Sequence, residues 1–559
     1  MHSDKRSAQL FFSALQKAGI DDIIISPGSR NAPLVIEALA RGFNPDVVVD
    51  ERVAGFTALG MAQQSRKPAV VISTSGTAVL NYHPAVAEAF YAKIPLIVVS
   101  ADRPPYRIDK GEGQTIRQHE VLKNHTLFSA TLPLDGNGQE TEALIREALE
   151  TAVREEGPVH LNMPFEEPLY QQTGKAVSFT HPPTPLITPR PIPDQKLDIL
   201  EKIWKKARRK LLIVSQNHSG DVLGKQMERL AAFGDTVVLT ENLANVHGSG
   251  LHAHIDRLIF PMDEKEWEKY APDLVITVGR NIISKKIKYL LRAVKPAYGH
   301  WHIGKENFAP DTFDSLTEHF PVDPEMFFSQ LLYRIYDHEP GGEYKALWRQ
   351  LAAYRQEKHD LFAERLPASD MLVYKTLSNI LAGSRILQWG NSTVVRYAQL
   401  FPFTVAVKHF ANRGTSGIDG TVSTAVGAAR KSPLPVLAVT GDLAFQYDNN
   451  AFWQEIPGNF KLIVINNGGG DIFRFIPGPS GVKDYEKYFV FKHRYHYGEL
   501  ALHFGLSYDY MQFRTGTPPH EISEQLKKFL QSPGPRIMEI DTRQIDNARI
   551  LKDYFTFLK

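Results

Sequence analysis

A chain of 559 residues with 43% hydrophobic and 23% charged content is long enough for about three or four domains, each with a core of its own. A formal net charge of +2 is too mild to argue for nucleic-acid binding, which wants a concentrated basic face. The absence of cysteine excludes disulfides, thiolate metal sites and a cysteine nucleophile.

The opening stretch MHSDKRSAQLFFSALQKAGI has the pattern of an amphipathic helix rather than a signal peptide. No run of about 18 apolar residues offers a transmembrane segment. A cytoplasmic location is the simplest expectation. From there β-branched runs alternate with helical patterns, which predicts an α/β fold of doubly wound parallel-sheet domains.

The first block, residues 1–180, has strand candidates at Ile23–Ser26, Val47–Val49, Val70–Ser73 and Leu96–Ser100. They end in SPGSR, DER, TSGT and ADRP. Ligands of open α/β sheets bind outside the carboxyl ends of the strands, so these four turns predict one rim of a site. The proline-dense segment 181–193 reads as an interdomain linker. A central block, 194–340, follows with strands at Leu211–Ser215, Thr236–Leu239, Leu274–Val278 and Trp301–Ile303. A helical linker is expected over 341–370, after the break at HEPGGE. The last block, 371–559, has strands at Arg385–Trp389, Thr404–Val407, Val436–Thr440, Leu462–Ile465 and Ile537–Ile540.

The last block carries the sharpest local signal. Val436–Thr440 delivers Gly441-Asp442 at a strand end, and Leu462–Ile465 delivers Asn466-Asn467 at the next. A right-handed crossover makes such strands parallel, so Asp442 and Asn467 meet on one side. A carboxylate and an amide oxygen suit a small hard cation such as Mg²⁺, which prefers oxygen ligands at about 2.0–2.1 Å. The glycines after Asn467 let backbone approach a phosphate or turn a carbonyl to the metal. Each turn, taken singly, is also an ordinary strand-end turn. GD and NN separated by about two dozen residues resemble the diphosphate-binding fingerprint of thiamin diphosphate-dependent enzymes.

That resemblance implies several further roles. Gly441, Asp442, Leu443, Asn467, Gly469, Ile472 and Phe473 would hold the cofactor, with Asp442, Asn467 and the Gly469 carbonyl on Mg²⁺ (Mn²⁺ could replace it). Glu51, in VVVDERVAGFTALGMA, would be the carboxyl that promotes the imino tautomer of the aminopyrimidine from a dry site. Read by itself, Glu51 is equally an acid at a helix N-terminus. Such enzymes pair this glutamate with the metal motif across a subunit interface, so a homodimer is the smallest active unit expected, with a tetramer equally open.

SPGSRNAPL, DERVAGF, TSGTAVLNYHPAVAEA, ADRPP, GQTIRQ, GNSTVVR and NRGTSGIDG together resemble one family of menaquinone biosynthesis. It is the 2-succinyl-5-enolpyruvyl-6-hydroxy-3-cyclohexene-1-carboxylate synthase family. The resemblance implies decarboxylation of 2-oxoglutarate on thiamin diphosphate and 1,4-addition of the resulting carbanion to isochorismate. Both substrates carry two carboxylates, which the arginine fork pairs well. Ser29, Arg30, Arg103, Gln114, Arg117, Ser392, Arg396 and Arg413 are carried over as substrate-contacting; any single arginine could instead be a solvated surface charge. Ser416 is carried over as cofactor-binding, with Ile418 as the apolar wedge that bends the cofactor.

The chain departs from the family at Lys285-Lys286, where a Lys-Arg pair is usual; the two are carried over as substrate contacts or read as a basic helix face. Gly468 stands where a side chain is more usual. His83 and His119 each read as isolated, so no histidine pair for proton relay is expected, and no dinucleotide fingerprint suggests a flavin. The alternative is another thiamin diphosphate-dependent 2-oxoacid decarboxylase or carboligase. A non-enzymatic module that kept the fold is a third reading, against which Asp442, Asn467 and Glu51 stand.

Overall fold

The computed structural model describes residues 1–134, 138–180, 191–217, 220–306, 309–403, 406–476 and 478–559. The expected linker 181–193 therefore falls outside the described residues except at 191–193.

Three parallel sheets carry the chain. The first has six strands in the spatial order Asp46–Val47, Ile23–Ile25, Ala69–Ser73, Leu96–Asp102, Pro158–Pro164 and Phe128–Thr131. The second has five: Thr236–Thr240, Lys210–Val214, Leu274–Val278, His300–Ile303 and Leu316–Phe320. The third has six: Val407–Ala411, Arg385–Trp389, Val436–Gly441, Phe460–Asn466, Arg536–Asp541 and Ser507–Gln512. Ala69–Ser73, Leu96–Asp102 and Lys210–Val214 are buried along their whole length. Parallel sheets covered by helices on both faces require such continuous apolar runs.

The first and third sheets share one order. Numbered along the chain, each runs second, first, third, fourth, sixth, fifth. The order reverses between the first and third strands, where doubly wound sheets open a crevice at their carboxyl ends. In the first sheet that crevice lies between the ends of Ile23–Ile25 and Ala69–Ser73. In the third it lies between Arg385–Trp389 and Val436–Gly441, so Ser392 and Asp442 flank it.

The amphipathic opening forms the helix Arg6–Ala18, ended by Gly19 in the left-handed region. After the middle sheet the helix Glu343–Glu364 leads toward the third. Helix Glu51–Ser65 packs on helix Thr421–Lys431 and joins the first and third blocks. Their backbones touch through glycines: a Cβ on Gly60 would stand 2.0 Å from the Thr424 carbonyl oxygen, and one on Gly427 1.9 Å from that of Thr57. Only glycine permits this approach.

Several expectations need correction. The strand expected at Thr404–Val407 starts at Val407 and runs to Ala411; 404–405 are outside the described residues. The strand expected at Val47–Val49 is Asp46–Val47. Phe128–Thr131, Pro158–Pro164, Leu316–Phe320 and Ser507–Gln512 were not expected as strands.

Candidate active site

Strands Val436–Gly441 and Phe460–Asn466 are parallel neighbours with Gly441 opposite Ile465. This register sets Asp442 beside the loop after Asn466. Asp442 starts the helix Asp442–Tyr447 and is buried. Its Oδ2 accepts from the Gly468 and Gly469 amides at 2.8 and 2.9 Å, and its Oδ1 from the Leu443 amide at 2.7 Å. Gly468 and Gly469 have φ of 81° and 144°. The first value gives a reason for glycine at position 468: φ > 0 suits glycine at little steric cost. His493 places Nε2 3.1 Å from Asp442 Oδ2 without making a hydrogen bond.

Asn467 donates through Nδ2 to Asp370 Oδ2 at 3.1 Å, which turns its amide oxygen the other way. That oxygen is buried and has no hydrogen-bond partner. A buried acceptor without a donor is costly, and this one is left open to a cation. One carboxylate, one orphaned amide oxygen and the Gly469 carbonyl make a donor set that fits Mg²⁺. Burial, with Asp471 and Asp442 nearby, pushes the Asp370 carboxyl up to about 7. Ile472 and Phe473 open the short helix Ile472–Phe475 directly after this loop, and Phe473 packs on Phe489. A Cβ on Gly441 would meet nothing within 4 Å, so the strand end faces open space.

Glu51 is the first residue of its helix, capped by Asp50, which accepts from the Arg52 and Val53 amides. Burial raises its pKa, with the Asp50 charge adding and a hydrogen bond from Asn81 opposing. The side chains acting on it belong to the first block. Its neighbours Asp50 and Arg52 are tied to the third, by Asn450 and by the Tyr447 carbonyl.

Sequence comparison bears on what such a site serves. Residues 5–121 match the family described as Thiamine pyrophosphate enzyme, N-terminal TPP binding domain, and residues 389–540 its C-terminal TPP binding domain counterpart. A 2-succinyl-5-enolpyruvyl-6-hydroxy-3-cyclohexene-1-carboxylate synthase of Flavobacterium johnsoniae is 42% identical over 98% of both chains. Proteins of the same name from Flavobacterium psychrophilum and Porphyromonas gingivalis are 39% and 35% identical; the first covers 98% of both chains, the second 100% of this chain and 98% of its own. The chain belongs to the 2-succinyl-5-enolpyruvyl-6-hydroxy-3-cyclohexene-1-carboxylate synthase family. It is a thiamin diphosphate-dependent enzyme of the carboligase type.

The cations expected to read substrate in this synthase family member fall into two groups. The first surrounds the crevice of the first sheet. Arg30 is buried and donates to the Phe165 carbonyl at 3.3 Å and to Glu167 at 2.9 Å. Arg103 holds the Gly113 carbonyl through Nε and Nη2 at 3.0 and 2.7 Å, fixing the loop that carries Gln114 at φ 53°. Ser29 is exposed. Arg117 stands apart, with its side chain 82% exposed and paired with Asp109.

The second group lies where the middle and third blocks meet. Arg413 is 6% exposed and donates to Asn391 Oδ1 at 2.9 Å. Arg396 bonds back to the Ser392 carbonyl, and Ser392 itself sits at φ 70°. Arg396 and Arg413 both depress the Lys285 pKa, after burial. Burial also lowers the Lys286 pKa, but there the Asp263 and Glu264 charges oppose it. The loop carrying Arg413, Ser416 and Ile418 is held from three sides. Glu88 of the first block accepts from the Gly414 and Thr415 amides at 2.7 Å each. Asn281 of the middle block donates to the Arg413 and Gly414 carbonyls. Asn391 of the third donates to the Asn412 and Gly417 carbonyls at 2.7 and 2.6 Å. Ser416 takes a left-handed φ of 65°, and Ile418 is left 39% exposed.

Sequence reasoning missed Glu88, Asn281, Asn391, Asp370 and Glu241, since each acts through contacts distant in the chain. It also read His83 as isolated. In the structure His83 Nε2 lies 2.9 Å from His125 Nδ1, with Phe90 and Tyr91 around His125.

Glu241 is buried beneath the second group and accepts from the Ile283 and Ser284 amides. Burial pushes its carboxyl from 4.5 up to about 7; Asp256 adds, and the backbone donors and Arg413 oppose. Folded protein therefore keeps this proton where unfolded chain has lost it. The resulting stability is fully present below pH 4.5 and is lost as pH rises through about 7. Its span is on the order of 3 kcal/mol. E241Q should remove that component, so melting temperature should fall less between these pH values than in the parent. An unchanged pH slope would contradict the assignment.

Proposed function

We propose that this chain decarboxylates 2-oxoglutarate and joins the remaining four-carbon unit to isochorismate by 1,4-addition, forming the compound that its relatives are named for making. The observation that carries the reading is the second cation group: Arg396 bonds to the Ser392 carbonyl and Arg413 to Asn391, beside the crevice that Ser392 and Asp442 flank, and both charges act on Lys285. A dicarboxylate fits such a cluster, because guanidinium forks bind carboxylate bidentately. When bound, thiamin diphosphate supplies the electron sink for decarboxylation.

The chain's own residues do the rest. Asp442, Asn467 and the Gly469 carbonyl would hold Mg²⁺ beside the diphosphate. Glu51, whose pKa burial raises, would hold a proton for exchange with the pyrimidine N1′. Arg30, Arg103 and Gln114 line the opposite rim and orient carboxylates. We place the working enzyme in the cytoplasm as a dimer or a pair of dimers. Among the described residues no helix is long and apolar enough to cross a membrane.

Incubated with both substrates, thiamin diphosphate and Mg²⁺, the protein should consume 2-oxoglutarate and isochorismate one for one. Consumption of 2-oxoglutarate indifferent to isochorismate would point to a simple decarboxylase instead. The dimer makes a separate prediction. If Glu51 of one protomer serves the metal motif of its partner, E51Q and D442A proteins, each inactive, regain activity when unfolded and refolded together. Mixed dimers would carry one site with both residues intact. No recovery would place both groups in one chain's site.

A further inference from the structure

The helix Ile255–Ile259 and the long helix Glu343–Glu364 flank a cavity of about 220 Å³ that shares no lining residue with the crevice described above. Its wall includes His252, His254, Arg257, Arg355 and Gln356. Two guanidinium groups are thus removed from water there: Arg257 is 4% and Arg355 2% exposed.

The partners of these arginines are few. Among the described residues, the Arg257 side chain has one hydrogen-bond partner, the Gln356 amide oxygen, and no carboxylate within ion-pair distance. Gln356 itself donates to Asp360 at 2.8 Å, so Arg257 reaches that carboxylate by hydrogen bonds only through a neutral group. Arg355 uses Nη1 on the Leu558 and Lys559 carbonyls and lies 3.5 Å from Glu266, while its buried Nε has no partner. Burial holds the two wall histidines below their ordinary range, His254 at about 3. At neutral pH the charge on the wall comes from the arginines.

A guanidinium has five donors and does not lose its proton in proteins. Left with a neutral amide in a cavity, most of the Arg257 donors go unanswered, and its charge meets only the more distant Asp360 carboxylate. Water could satisfy donors but not charge. The cavity exceeds the roughly 30 Å³ of one water several-fold, and the arginine fork matches a planar or tetrahedral oxyanion. We propose that this cavity is a binding site for a small oxyanion, a carboxylate or phosphate group, distinct from the catalytic site.

The test is calorimetry on the full chain saturated with thiamin diphosphate and Mg²⁺, at constant ionic strength. Inorganic phosphate and acetate are titrated separately, so that the preferred source is identified. One of them should bind, and R257Q should weaken that binding by about tenfold or more, the loss of a charge-assisted contact. Q356E is the second variant. It sets a carboxylate against Arg257, and should abolish anion binding while raising the melting temperature in anion-free buffer. Absence of binding by both anions would overturn the proposal. So would equal affinity in the parent, R257Q and Q356E, which would put the anion elsewhere.

Discussion

E51Q should slow turnover by roughly 10²–10⁴-fold while thiamin diphosphate still binds. The amide keeps the size of the side chain and an acceptor for Asn81, so the helix Glu51–Ser65 and its Asp50 cap stay intact. What is lost is a carboxyl able to hold and release a proton. Burial raises the Glu51 pKa, which brings it closer to the working pH and makes the exchange easier. Steady-state kinetics with calorimetry of cofactor binding separates the two effects. Near-normal turnover would remove Glu51 from this role. A large loss of cofactor affinity would show that the carboxylate holds the cofactor rather than its proton.

D442A should act on binding. Its carboxylate is the one charged member of the proposed Mg²⁺ set, and losing it should weaken cofactor and metal retention by at least about a hundredfold, the upper range for groups that only support ligands. The same change strands the Gly468 and Gly469 amides, which now share Oδ2 at 2.8 and 2.9 Å. Two buried donors without acceptors should cost about 2 kcal/mol or more. The metal-free protein should therefore melt earlier as well. Unchanged affinity for thiamin diphosphate in the presence of Mg²⁺ would refute the ligand assignment.

These two residues were readable because each ends a strand or opens a helix inside a strong local pattern. Val436–Gly441 and Phe460–Asn466 are apolar, flanked by turns, and neighbours in sequence as well as in the sheet. The missed strands lack that pattern. Phe128–Thr131, Leu316–Phe320 and Ser507–Gln512 lie at sheet edges, where half-exposed polar residues blur the apolar run. Pro158–Pro164 is central and wholly buried, but prolines at both ends disguise it as a loop.

The supports of the site were illegible for another reason. Glu88 and Gly414 are 326 positions apart, and Glu241 and Ile283 42 apart. No local rule announces a buried acid whose partners lie tens or hundreds of positions away along the chain. The His83–His125 pair is the same case, since each histidine is unremarkable in its own segment.

The most direct measurement follows carbon. 2-Oxoglutarate labelled at the carboxyl next to its ketone is incubated with isochorismate, thiamin diphosphate and Mg²⁺, and products are weighed by mass spectrometry. The label should leave as carbon dioxide only while isochorismate is consumed, and the adduct should carry the unlabelled four-carbon remainder. Labelled carbon dioxide released at the same rate without isochorismate, with no adduct formed, would contradict the account.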